Sequence, residues 1–206
     1  MDQEVILSIL SWLNSGRLPY PVNHTFITLI PKVKSLEYVH QFHPISLCNV
    51  LYKIFSKVLA NRLKKFLPSL ISEHQSTFAK DRLITNNIMI AFETLHCMKN
   101  HKVGTDGFMA IKLYMTKVYD RVEWDFLENL MRKMGFCRRW SNLMMECVKI
   151  VSYSILVNGE LKGLIQPSRG ICQGDPLSPF LFLLGTKGLH GLTKKVARTS
   201  DIRGFN

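Results

Sequence analysis

No apolar run in this chain approaches the ~18 residues that a membrane span requires; Phe180-Leu181-Phe182-Leu183-Leu184 is much too short. The opening Met1-Asp2-Gln3-Glu4 is acidic and lacks the basic segment of a secretory signal. Cysteines are few and odd in number: Cys48, Cys97, Cys137, Cys147 and Cys172 are scattered, with no C-x-x-C pair. That pattern argues against a disulfide framework and fits reduced thiols inside a cell. His96, Cys97 and His101 lie close in sequence but match no established metal-ligand spacing. No internal repeat, low-complexity tract or linker interrupts the chain. Acidic residues are scarce as well, 15 Asp and Glu against 27 Lys and Arg.

What is present describes a basic globular protein. A hydrophobic share of 47% over 206 residues, with a mean hydropathy of +0.06, is enough for one domain or two small lobes with a real core. The net charge of +12 favours a polyanionic partner, because each phosphate contact releases counterions.

Periodicity places the elements. Apolar spacing predicts a helix over 5–13, stopped by Gly16 and Pro19, and a strand over 24–30 closed by Pro31-Lys32. Residues 41–47 read as a loop in which Pro44 holds His43 extended. The clearest helix covers 49–67, with Val50, Leu51, Ile54, Val58, Leu63 and Phe66 on its apolar side and Pro68 as its end. Lys53, Lys57, Arg62, Lys64 and Lys65 fall largely elsewhere, on a face that is either solvated or follows a nucleic-acid backbone. Thr85 is a candidate N-cap for a helix to 98 with Ile88, Phe92 and Leu95 inward. A buried strand is expected over 108–115, then helices over 125–134, stopped by Gly135, and 140–150. Residues 153–160 read as a strand entering the Asn158-Gly159 hairpin turn. Ser178 is expected to cap a final helix with Pro179 at its first turn, weakened by Gly185, Gly188 and Gly191.

Two strings stand out. The first is Ala110-Ile111-Lys112-Leu113-Tyr114-Met115-Thr116-Lys117-Val118-Tyr119-Asp120-Arg121-Val122-Glu123-Trp124, apolar in its first half and polar where it feeds the next helix. The second is Pro167-Ser168-Arg169-Gly170-Ile171-Cys172-Gln173-Gly174-Asp175-Pro176-Leu177-Ser178-Pro179. In this order and with this spacing they resemble motifs A and B of the reverse transcriptase domain of LINE-type non-LTR retrotransposons, especially those of plants. The resemblance runs from about Asn23 onward. It implies an α+β right-hand polymerase fragment whose helices pack on a small, incomplete antiparallel palm sheet. An N-terminal helical extension would occupy 1–22, fingers 23–107 and a partial palm 108–206.

The same resemblance implies a chemistry. Family members join nucleotides by a two-metal mechanism, in which paired Mg²⁺ ions clamp the attacking hydroxyl and the triphosphate. Mg²⁺ needs oxygen ligands, in this family carboxylates from motif A and from a later motif C. The motif A carboxylate position is occupied here by Tyr114, a phenol that stays neutral at pH 7. Motif C is expected within a few dozen residues of Gly204 and is not among these residues, so catalysis as encoded is not expected. Asp120 occupies a separate family position and does not replace the lost carboxylate.

Other positions match. Lys32, in Leu29-Ile30-Pro31-Lys32, aligns with a triphosphate-contacting lysine, and Tyr119 with the aromatic gate that rejects a ribose 2′-hydroxyl. Gln173 and Gly174 align with the motif B pair, where bare backbone admits template and nucleotide. Lys53, Lys57, Arg62, Lys64 and Arg169 are candidate contacts to nucleic acid. The implied partners are an RNA template, a DNA primer and the missing palm and thumb segments of a longer polyprotein; the implied place of action is the nucleus. His43, in Phe42-His43-Pro44-Ile45-Ser46, stands where the family has arginine, as does Cys172. Asn86 replaces an expected aspartate, Lys187 a glutamate and Asp81 a glycine. All five changes are reachable by cytosine deamination, the pattern of a silenced element copy; the change at Tyr114 is not.

Overall fold

The computed structural model describes residues 2–72, 75–78, 82–100, 109–113, 115 and 117–199. Tyr114, Asp81 and His101 lie outside them, so the expectations resting on these three have no structural counterpart here. Among the described residues, seven α-helices accompany one four-stranded sheet, an α+β arrangement consistent with a reverse transcriptase fingers and palm fragment.

Strand β1 (His24–Pro31) forms where predicted. Strand β2 (Phe42–Cys48) corrects the expected loop over 41–47. Pro44 reads as a breaker in sequence, yet β2 is an outer strand of the sheet, and proline is tolerated at an edge where its missing N–H disturbs no ladder. Strands β3 (Ser152–Val157) and β4 (Glu160–Ile165) flank the Asn158-Gly159 turn as the sequence requires. Asn158 and Gly159 have φ of 51° and 84°, the left-handed pair that a tight hairpin demands. The order is β2-β1-β3-β4. Two pairings are antiparallel, β3–β4 within the expected palm among them, while β1 and β3 run parallel. This parallel pairing aligns Thr25 with Tyr153 and joins residues on both sides of the expected 107/108 boundary.

The helices build one core. Helix α1 (Gln3–Ser15) contributes Ile9 and Leu13, and its Trp12 meets Phe55 edge-on at 6.2 Å. Helix α2 (Val50–Lys64) buries Tyr52, Phe55, Ser56, Leu59, Ala60 and Leu63. That face is rotated around the axis from the expected one: Val50 is 70% exposed and Phe66 59%. The polar atoms explain the shift. The Tyr52 hydroxyl donates to the Cys147 carbonyl at 3.4 Å and the Ser56 hydroxyl to the Lys53 carbonyl at 3.3 Å, so both sit inside without an unpaired group. Pro68 opens a short helix, α3 (Leu67–Leu70), directly after α2.

Helix α4 (Ile84–Asn100) begins one residue before the expected cap Thr85, and none of its residues is buried. Ile88, Phe92 and Leu95 were expected inward and are more than half exposed. Periodicity says which side chains share a face; it does not say what covers that face. Helices α5 (Trp124–Lys133) and α6 (Arg138–Lys149) follow the prediction closely and bury Leu127, Met131, Met144 and Cys147. Helix α7 (Ser178–Arg198) packs its first turns through Leu181, Leu183 and Leu184. The strand expected over 108–115 is not formed by 109–113 or 115, and Met109, Ile111 and Leu113 are exposed. A strand needs a neighbour to accept its backbone bonds, and none of the described strands pairs with this segment.

Candidate functional site

The two strings meet through backbone. The Gly170 amide donates to the Val122 carbonyl at 2.8 Å and the Ile171 amide to the Tyr119 carbonyl at 2.9 Å. The indole Nε1 of Trp124 donates to the Gly170 carbonyl at 2.7 Å. Three bonds therefore fasten the end of motif A, a 3₁₀ turn at Tyr119–Arg121, to the start of motif B. Arg169 adds an ion pair to Glu123 at 3.4 Å, but both side chains are solvated and such pairs contribute little.

Tyr119 is half-buried, its ring stacked on Phe182 of α7 with centroids 5.2 Å apart. Burial pushes its phenol above the ordinary tyrosine range. The ring is thus held against α7, and nothing in the sequence singled out Phe182 as its platform. On the other side of motif B, Gly174 has φ of 100°, and a Cβ there would come within 3.2 Å of the Ser46 carbonyl oxygen. Motif B accordingly touches β2 on one flank and motif A on the other. Gln173 is exposed between them.

Lys32 and His43 occupy the far end of the β1–β2 hairpin. The Lys32 amide donates to the Gln41 carbonyl at 2.9 Å, and its Nζ donates to the His40 carbonyl at 3.3 Å. His43 faces Ile30 across the ladder and is exposed. The helix α2 cations divide into two groups. At ~100° per residue, Lys53, Lys57 and Lys64 share a stripe about 40° wide, while Arg62 lies on the opposite side. Arg62 instead borders an apolar cavity of about 580 Å³, with Phe66, Phe136 and Trp140 among its walls.

Asp175 was not assigned a role from sequence, and it organises the motif B turn. Its buried carboxylate accepts from the Leu177 amide at 3.3 Å and the Ser178 hydroxyl at 3.1 Å. Ser178, expected to cap α7, is itself the first helical residue and donates to Asp175. The available signal was Asp before Pro, a common turn-initiating pair. Burial raises the Asp175 carboxyl above the ordinary range, while Ser56, the Leu177 amide, Ser178 and Tyr52 pull it the other way.

A family profile described as reverse transcriptase (RNA-dependent DNA polymerase) matches residues 30–200. The chain belongs to that family. It is 28% identical over 189 residues to a Xenopus laevis protein named "Transposon TX1 uncharacterized 149 kDa protein", covering 87% of this chain and 14% of that protein. It is 27% identical over 169 residues to the retrovirus-related Pol polyprotein from the type-1 retrotransposable element R2 of Popillia japonica, covering 81% of this chain and 23% of the relative. An uncharacterized mitochondrial protein of Arabidopsis thaliana, AtMg01250, is 47% identical over 50 residues, covering 24% of this chain and 41% of that protein. The chain thus spans well under a third of the Xenopus laevis and Popillia japonica proteins, which it matches over most of its own length.

Reverse transcriptases generally work with Mg²⁺. Among the described residues, no group of three or more His, Cys, Asp and Glu side chains converges to hold a metal ion. Asp175, the buried carboxylate of motif B, has its oxygens turned onto the α7 start. The described donors do not fit the paired ions. His96 bonds to Asn100 within its own helix, at 2.9 Å. None of the described helices is long and apolar enough to cross a membrane.

Proposed function

We propose that this chain is the fingers and leading palm of a non-LTR retroelement RNA-directed DNA polymerase that has lost nucleotidyl transfer and kept the geometry around it. Fingers would end near residue 107, and the palm would begin with motif A. The observation that carries the reading is the contrast between a joined frame and a changed residue. Motif B is bonded to Tyr119 and Val122 and packed on Ser46, whereas position 114 carries a phenol where the motif A resemblance implies a carboxylate. A neutral phenol is a weak Mg²⁺ ligand.

In this reading Lys32, His43, Tyr119, Gln173 and Gly174 surround the incoming nucleotide. Lys53, Lys57 and Lys64 follow a phosphate backbone, with Arg169 near the primer–template. RNA template, DNA primer and the remaining polyprotein segments are the partners, and a nuclear place of action rests on the family alone. Primer extension with Mg²⁺ or Mn²⁺ tests it, comparing this chain with a Tyr114→Asp version fused to a complete palm. Activity confined to the repaired fusion is the expected result. Template-directed synthesis by the chain as encoded overturns the reading, as does a repaired fusion that stays inert.

A second reading, a non-catalytic module that holds RNA, is favoured by the lysine stripe on α2 and the net charge of +12. A decaying element copy is the third. Its codons decide it: transversions at most of His43, Asp81, Asn86, Cys172 and Lys187 would remove deamination as the cause.

A further inference from the structure

We propose that Cys48 and Cys172 form an oxidisable dithiol, which peroxide converts to a disulfide that locks the end of β2 onto motif B. Their sulfurs lie 3.5 Å apart although the residues are 124 positions apart in sequence. Both are free thiols; Cys48 is buried and Cys172 half-buried. A disulfide requires the sulfurs to close by about 1.5 Å, to ~2.05 Å. The surrounding contacts hold the pair in register. Cys48 faces Thr25 across the β1–β2 ladder, and the adjoining Gly174 packs on Ser46 of the same strand. Replacement of the arginine expected at position 172 by a short thiol is what makes the pair.

The two thiols are also differentiated. The hydrogen bond from Cys172 holds the Cys48 thiol below its ordinary range, against the opposing effect of burial. The same bond, with burial, raises Cys172. With Cys172 as the donor of that bond, Cys48 is the attacking thiol and Cys172 the protonated partner. The Cys48 sulfur attacks the peroxide O–O bond, forming a sulfenic acid and releasing one water. The Cys172 sulfur then attacks the Cys48 sulfur; the S–S bond forms, the S–O bond breaks, and the oxygen leaves with the Cys172 proton as a second water. Two thiols and one hydrogen peroxide give one disulfide and two waters.

The five cysteines fall in five separate tryptic peptides, residues 35–53, 83–99, 134–138, 140–149 and 170–187. The folded chain is treated with hydrogen peroxide, capped with N-ethylmaleimide, digested and weighed without reductant; a parallel sample is oxidised in urea. The expected result is peptide 35–53 joined to 170–187, two hydrogen masses below their sum, in the folded sample alone and released by dithiothreitol. Exposed Cys97 and Cys137 remain capped by maleimide. A folded chain in which Cys48 and Cys172 both stay capped overturns the proposal, as does pairing spread over all five cysteines or an equal yield in urea. The near-isosteric Cys172→Ser gives a second readout: its Cys48 sulfenic acid, with no resolving thiol, is trapped by dimedone, and the parent chain gives no adduct at that position. A dimedone adduct on Cys48 of the parent chain would also refute it.

Discussion

Gly174 sits so close to Ser46 that an added Cβ would lie 3.2 Å from the Ser46 carbonyl oxygen, and its φ of 100° is one that other residues rarely adopt. This single approach fixes where motif B rests on β2. Gly174→Ala is expected to destabilise the chain by ~1–3 kcal/mol, from backbone strain and a carbonyl that must shift. Urea denaturation checks it; a midpoint unchanged from the parent would show that motif B does not rest there.

Asp175 gives a pH signature. Burial raises its folded carboxyl above the unfolded value near ~3.9, so the folded state holds the proton more tightly. Its contribution is then fully present below about pH 4 and declines as pH rises through the folded value. Asp175→Asn removes that proton binding. The difference in stability between parent and variant should drift in favour of the variant as pH rises from about 4 toward 7. A flat difference across that range would mean the carboxyl titrates as it does in the unfolded chain.

The Tyr119–Phe182 stack predicts an asymmetry between two substitutions. Tyr119→Phe keeps the ring and should change stability by less than ~0.5 kcal/mol, since no hydroxyl bond to a described residue is broken. Phe182→Ala removes the platform and should cost about 1–3 kcal/mol. Equal losses in chemical denaturation would mean that the hydroxyl, not the stack, holds the turn.

Helix α2 separates its cations by geometry. Replacing Lys53, Lys57 and Lys64 together with glutamine should lower the slope of log affinity for single-stranded RNA against log salt by up to about 2, at ~0.7 per phosphate contact. Arg62→Gln, on the other side of the helix, should barely move it. Filter binding across a salt series reads both, and identical losses from the two variants would dissolve the stripe as a binding face.

Ile88, Phe92, Met109, Ile111 and Leu113 each expose a large apolar side chain, and such exposure favours association. The isolated chain should self-associate at micromolar concentration. Size-exclusion chromatography with light scattering decides this, and a sharp monomer peak would speak against it.

Much of the fold was legible because local rules govern it. Gly16 and Gly135 ended helices where backbone geometry demanded, and Asn158-Gly159 announced the β3–β4 hairpin without help from the rest of the chain. Ordered strings around Tyr119 and Gly174 were enough to suggest the family, which the match over residues 30–200 establishes. The errors share a cause. Tyr52 and Ser56 look like surface by their polar atoms, yet find hydrogen-bond partners in the interior and turn the buried face of α2 away from Val50. Pro44 looked like a loop until the sheet order made its strand an edge.

From the sequence alone came the basic charge, the order of the motifs, the phenol at position 114 and the elements set by neighbours a few residues apart. Only the tertiary structure decided that β1 runs parallel to β3, that the Asp175 carboxylate is buried, that Phe182 carries Tyr119 and that Cys48 faces Cys172. Those contacts join positions that lie far apart in sequence or depend on which groups share the interior. No local propensity encodes them: they emerge when separate apolar faces bury one another and the enclosed polar groups must find partners.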